Sequence, residues 1–259
     1  MGHQHLLVLP KTKDWRRVVE LIAGHANLAD IAAASSRAAE RSMIDAADDP
    51  AVRQAFFLLT QVPQAARDED FAGELRRLGL HVGDDPTLIE ICGAMMDAID
   101  LFVARLGRRT DFGEIAQLSS VESLHAIAGR ELPDLFNADG IGTQRAIATL
   151  GEGKQFSVLA RDFFARLTRR HLNFYLSREL SSHVGADRRF SSLHDHEKFE
   201  EALDLHCREA SRIIKEFAQQ WYGKHLAEGG IDRDLAGRFV AVASAKVRDE
   251  LSQREPANA

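Results

Sequence analysis

The sequence predicts an all-α, multi-helix globular bundle of about nine to ten helices, with at most one short strand near the N-terminus. Three observations predict it. Apolar residues recur at helical spacing through most of the chain, as between Gln155 and Leu180, where Phe156, Ala160, Phe163, Phe164, Leu167, Phe174 and Tyr175 fall on one side of a helical wheel. Capping residues precede several of these runs, and glycine follows others. The composition, 45% apolar and 28% charged over 259 residues, is that of an ordinary globular chain able to bury a substantial core.

His5 to Leu9 is the one candidate strand. Asp14 to Ala23 puts Val18, Val19 and Ile22 on one side and stops at Gly24, a residue suited to a left-handed helix end. Asn27 and Asp30 stand three apart like a capping pair and open a helix to about Ala46. Its inner side is made of small residues: Ala32, Ser35, Ala39, Ser42 and Ala46. Asp49-Pro50 and Asp85-Pro86 each place a capping carboxylate before a proline whose missing N–H costs nothing at a helix start. They predict helices from Pro50 to Gln61 and from Pro86 to Leu106. The second gathers Leu88, Ile89, Cys92, Met95, Met96, Ile99, Phe102, Val103 and Leu106 on one broad apolar face. A shorter helix, Asp68 to Leu78, lies between them.

Asp111 to Ala128 has apolar residues all round (Ile115, Leu118, Val121, Leu124, Ile127), which predicts a helix surrounded by others. From Gly129 to Gly153 the pattern breaks around Pro133, Gly140, Gly142 and Gly151, with room for a short helix from Thr143 to Leu150. Two long amphipathic helices follow, Gln155 to Leu180 and Glu197 to Tyr222, and then a last one, Asp232 to Gln253. The expected organisation is an N-terminal helical subdomain (1–128), an irregular connector (129–153), a C-terminal helical subdomain (154–253) and a tail (254–259). A single domain is equally compatible with this length.

A formal charge of −6 and a pI near 6.0 give no reason for nucleic-acid binding through the whole surface. Local contact is conceivable at Arg166, Arg169 and Arg170, which fall on the outer face of the long helix; the default for them is a solvated face, with Asp162 pairing one turn before Arg166. Arginine supplies 26 of the 33 basic residues, a bias typical of GC-rich bacterial genomes. Cys92 and Cys207 lie far apart inside helical patterns, which points to a reduced, cytoplasmic compartment. No run reaches the roughly 18–20 apolar residues of a membrane helix, and the short run Leu6 to Leu9 does not make a signal-peptide core. No membrane association is expected.

Within the apolar side of the long helix sit His171 and, two turns on, Arg178. His206 occupies a similar place in the next helix, among Phe199, Leu203, Ala210 and Ile213. If the two helices pack together, His171, Arg178 and His206 meet in one polar pocket, and Glu122 is the acid expected to join them. Such a group is either a satisfied core network or a pocket for a ligand anion, because a buried guanidinium needs a partner. Arg178 and His183 also form R-x4-H, RELSSH, which resembles the signature of HEPN-domain ribonucleases. That resemblance implies an all-α fold, frequent dimerisation, and a metal-independent RNA-cleaving cleft lined by Arg178 and His183. The chain departs from the family at Glu179, where a polar Asn, Asp or His is usual, and the same spacing recurs at Arg76 with His81, Arg166 with His171, and Arg189 with His194.

His183, His194 and His196 could be read as metal ligands, but Ser192 and Asp195 have capping spacing and a His-x-His pair does not fix the three or four ligands of a zinc site, so no metal site is expected. No cofactor is expected either, since no GxSxG, HExxH or complete nucleotide-binding fingerprint is present. The function expected is therefore a non-catalytic interaction or scaffold protein acting through a protein partner or self-association, with Trp15, Phe56, Phe57, Trp221 and Tyr222 as candidate anchors. The alternatives are a HEPN-like ribonuclease and a small-anion sensor.

Overall fold

The structure, a computed structural model, describes residues 9–107, 110–132, 139–185 and 188–253, apart from the side chain of Arg178. The helices are α1 (Lys13–Ala23), α2 (Leu28–Ala38), α3 (Glu40–Ala47), α4 (Pro50–Ala65), α5 (Phe71–Arg77), α6 (Leu88–Leu106), α7 (Asp111–Ala128), α8 (Gly140–Thr149), α9 (Gly153–Ser182), α10 (Leu193–Ala210), α11 (Ile213–Ala227) and α12 (Arg233–Gln253), with a 3-10 turn at Gly129–Glu131. Among the described residues there is no strand, only a single bridge between Val184 and Phe190. All of the expected strand but Leu9 lies outside the described residues. The helix count exceeds the expected one because two predicted helices are each divided and a short one is split from the loop before α8.

Both divisions have local causes. The predicted helix from Asn27 to Ala46 turns at Ala39, leaving α2 and α3, and Ser42 donates its hydroxyl to the Ala39 carbonyl at 2.9 Å. The predicted helix from Glu197 to Tyr222 breaks at Ser211 and Arg212, where the fully buried Ser211 hydroxyl bonds back to the Cys207 carbonyl at 2.8 Å. Such a back-bond competes with the helical ladder. Two boundaries also move. Pro63 stands inside the last turn of α4, where it forfeits one ladder bond without ending the helix. At α6 the cap is Thr87, whose hydroxyl accepts from the Glu90 amide, rather than Asp85.

The helices α4 and α9 share two neighbours, α7 and α12, and α11 and α10 flank α9. At the centre, Phe56 of α4 meets Phe163 and Phe164 of α9 at 5.7 and 5.5 Å and stacks on Phe239 of α12 at 5.0 Å. Burying a ring of this size is worth roughly 1.5–3 kcal/mol, and one hydrophobic cluster extends from Trp15 to Leu251. The expected interface anchors Trp15, Phe56, Phe57 and Tyr222 are all buried in it, so they are core residues; Trp221 is half-buried against the same rings.

Helix α7 is packed by α4, α6, α8 and α9, as its all-round apolar pattern predicts. Its most buried residues are Gly113, Ala116, Gln117, Ser119, Ser120 and Ser123, with Leu124 and Ile127, while Ile115, Leu118 and Val121 are half-exposed. Ser119 and Ser120 donate to the carbonyls of Ile115 and Gln117 in their own helix, so two of these hydroxyls need no outside partner. Small residues let α4 come close: a Cβ on Gly113 would stand 2.9 Å from that of Ala51. Helix α6 lies against α4 and α7, and its first and last turns expose Ile89 and Leu106, which the sequence pattern had placed on the buried face. Among the described residues no helix is long and apolar enough to cross a membrane.

Candidate functional site

Each residue singled out from the sequence has a distinct setting. His171 of α9 is 4% exposed, and its Nε2 lies 2.9 Å from the hydroxyl of Ser42 on α3. The Ser42 hydroxyl is shared among His171, the Ala39 carbonyl at 2.9 Å and the Tyr175 side chain. The ring stacks on Phe112 of α7 at 4.7 Å and 13° and lies 5.6 Å from Tyr175. Burial pulls its pKa down to about 4, so it is neutral at physiological pH.

Glu122 is held elsewhere. From α7 it accepts Arg166 of α9 at 2.9 Å and, more closely still, Arg170. Arg166 also reaches Asp162 at 2.6 Å, and Asp204 of α10 takes Arg208 at 2.7 Å and Arg169 at 3.4 Å. The three arginines therefore occupy the seams of α9 with α7 and α10 and are engaged by carboxylates, not spread over a free outer face. Burial alone pushes the Glu122 carboxyl up, but Arg170 and Arg166 outweigh it and hold it below the usual carboxylate range. Burial works against the charge on Arg166 too, and Asp162 with Glu122 more than compensates. The pair that the sequence placed in one pocket, His171 and Glu122, thus has two separate sets of partners. His206 lies half-buried on α10.

Arg178 is in α9, its side chain outside the described residues. His183 closes that helix as its C-cap, half-buried, and its carbonyl accepts from the Phe190 amide at 3.0 Å. His194 and His196 begin α10, where the Ser192 hydroxyl accepts from the Asp195 amide as the capping pattern predicts. The Asp195 carboxylate is bonded in turn by Ser191 and Ser192, which holds its pKa down. Among the described residues no group of three or more His, Cys, Asp or Glu side chains is placed to hold a metal ion.

What the sequence missed is a concave site beside Glu122. Ile89 and Cys92 of α6, Val121, Glu122, His125 and Ala126 of α7, and Arg166 of α9 line an open groove of about 340 Å³. The helices meet there through the Cys92 thiol at 3.8 Å from the Val121 carbonyl, and through Gln117 Nε2 donating to the Met96 carbonyl at 2.7 Å. Its lining is mostly apolar and includes the Glu122 and Arg166 ion pair. Cys92 is no nucleophile, since burial pushes its thiol up to about 12. Ile89, one of the residues lining it, is 49% exposed. A signal was present in the sequence: nine apolar residues on α6 form an arc wider than a helix with two packing neighbours can bury. Comparison with protein-family models, with curated proteins and with solved structures finds no match to this chain.

Proposed function

We propose that the chain is a non-catalytic helical interaction protein that engages a protein partner, or a second copy of itself, through the face formed by α6 and α7. The observation that supports this reading is the groove of about 340 Å³ with the half-exposed Ile89 in its lining. A single exposed aliphatic residue is ordinary on a protein surface, but one bordering an apolar concavity is the usual form of an interface anchor. Leu101 and Leu106, 48% and 49% exposed, extend the apolar character of α6. The neutral, hydrogen-bonded His171 and the paired arginines act in this reading as structural groups.

Native mass spectrometry on the protein isolated from its own host tests this, with Ile89→Asp beside the wild type. The expected result is a stoichiometric protein complex or homo-oligomer that the variant loses. RNA cleavage abolished by both Arg178→Ala and His183→Ala, with helical circular dichroism unchanged, would overturn it in favour of the HEPN-like alternative. A monomer carrying a metabolite in stoichiometric amount would overturn it in favour of an anion sensor.

A further inference from the structure

We propose that α1 is a hinged lid, closed over Tyr175 and latched by Arg189, which swings open at the Gly24–His25 turn while the remaining helices stay packed. Three observations carry it: where α1 lies, what ties down its end, and what the closed turn holds at a cost.

Helix α1 has α2 as its main neighbour, and its buried residues are Trp15, Val18 and Ile22. Trp15 stacks on Tyr175 of α9 with ring centroids 4.9 Å apart. Tyr175 is buried, bonded to Ser42 and 5.6 Å from the His171 ring. The free energy of apolar burial scales with the area removed from water. Lifting three side chains off this surface therefore costs far less than opening the aromatic centre around Phe56.

Arg189, in the link between α9 and α10, fastens the far end of the lid. Its Nη2 donates to the Ala26 carbonyl at 2.7 Å and its Nη1 to the Ile22 carbonyl at 3.4 Å. The guanidinium lies over the rings of Phe190 and Phe199 at 5.5 and 5.2 Å. Among the described residues no carboxylate pairs with it. The carbonyl end of a helix carries partial negative charge, so α1 in its closed position is the anionic partner of this arginine.

The closed turn also holds two groups at a cost. His25 has a φ of 57°, the only positive value among the described non-glycine residues. Arg189 Nε is buried without a hydrogen-bond partner, and burial opposes the guanidinium charge. Opening returns the guanidinium to water and lets His25 relax. Apolar contact and two charge-assisted bonds hold the lid shut, and strain and desolvation oppose them, which is the balance a two-position element requires.

The test is native-state hydrogen exchange of the full-length chain, read peptide by peptide by mass spectrometry as urea is raised below the unfolding transition. Amides of α1 should exchange through an opening that urea barely promotes, whereas those of α4 should follow global unfolding with a steep urea dependence. Phe163→Leu, which weakens the ring contact with Phe56, should speed exchange in α4 and leave α1 within about twofold. Arg189→Met keeps an aliphatic stem on Phe190 and Phe199 but has no donors, and should speed α1 exchange about ten- to a hundredfold. Arg189→Lys, which keeps the charge and loses the fork that spans two carbonyls, should fall between. If α1 exchange rises as steeply with urea as that of α4, or accelerates in step with α4 in Phe163→Leu, α1 opens only with the whole fold and the lid is overturned. The wild-type urea dependence decides this even where a variant fails to fold. Unchanged α1 exchange in both Arg189 variants overturns the latch.

Discussion

Acidification from neutral pH to about pH 5 destabilises the fold through His171 by about 2 kcal/mol. The ring is 4% exposed, and burial lowers its pKa to about 4 from an ordinary 6.5. Above pH 6.5 the imidazole is neutral in both folded and unfolded chains and contributes no pH dependence. Below it, the unfolded chain takes up a proton that the folded one refuses, so stability falls with pH until the folded ring itself titrates near 4. At pH 5 the charged form outweighs the neutral one by roughly thirtyfold in the unfolded chain and is a minor species in the folded chain; at about 1.4 kcal/mol per decade this gives the stated cost. Carboxylates held below their usual range, Glu122 among them, also lose their stabilising contribution on acidification, so the histidine needs a variant to isolate it. His171→Phe keeps a ring against Phe112 and leaves Ser42 its bond to the Ala39 carbonyl. Urea unfolding of both proteins at pH 7.5 and 5 should show the wild type losing about 2 kcal/mol more than the variant. Parallel losses, or a His171 ring proton that titrates near 6.5 by NMR in the folded protein, would refute the reasoning.

Tyr222→Phe should cost about 1–3 kcal/mol in the same unfolding assay, because the phenol accepts from Gln64 Nε2 at 2.6 Å and donates to the Thr60 carbonyl at 3.1 Å, and both partners would be left short. In a spectrophotometric titration its ionisation should come only at about 12, where burial places it. Cys92 and Cys207 are both buried, with thiols pushed up to about 12. A thiol reagent at neutral pH should therefore modify neither in the folded protein and both after denaturation.

Helix type and most helix starts were legible in the sequence, because caps and periodicity are local. Asn27, Asp49, Ser192 and the apolar side of α9 stand where the pattern puts them. The breaks at Ala39 and Ser211 were not legible, since an alanine and a serine are compatible with a continuous helix until tertiary packing selects the turn. The candidate site was legible only as a set of residue types. His171 was recognisable as a buried histidine, but its partner Ser42 lies 129 positions away, and no spacing rule connects them. Glu122 was recognisable as an acid needing a cation, yet Arg166 and Arg170 answer it because α9 presents them to α7. The groove was hidden for a further reason: with apolar residues all round α7, a helical wheel gives that helix no preferred face.

The sizes of the side chains along α7 bear on the shape of the α6–α7 face. A helix can press closely on a neighbour only through small side chains, and α7 spends Gly113, Ala116, Ser120 and Ser123 on its buried side. Hydroxyls tolerate that burial where they bond to a carbonyl of their own turn, as those of Ser119 and Ser120 do. With the inner face committed to small residues, the bulkier Ile115, Leu118 and Val121 are left on the outer stripe, where α6 covers part of them and the groove begins. Close packing inside and apolar surface outside are thus consequences of one distribution of residue sizes along α7. Enlarging the inner residues would force α4 and α7 apart and strain the core, whereas the half-buried outer residues tolerate a change of size more readily. Ile115 and Val121 still pack against the edge of the core, so the outer stripe is half-buried rather than free.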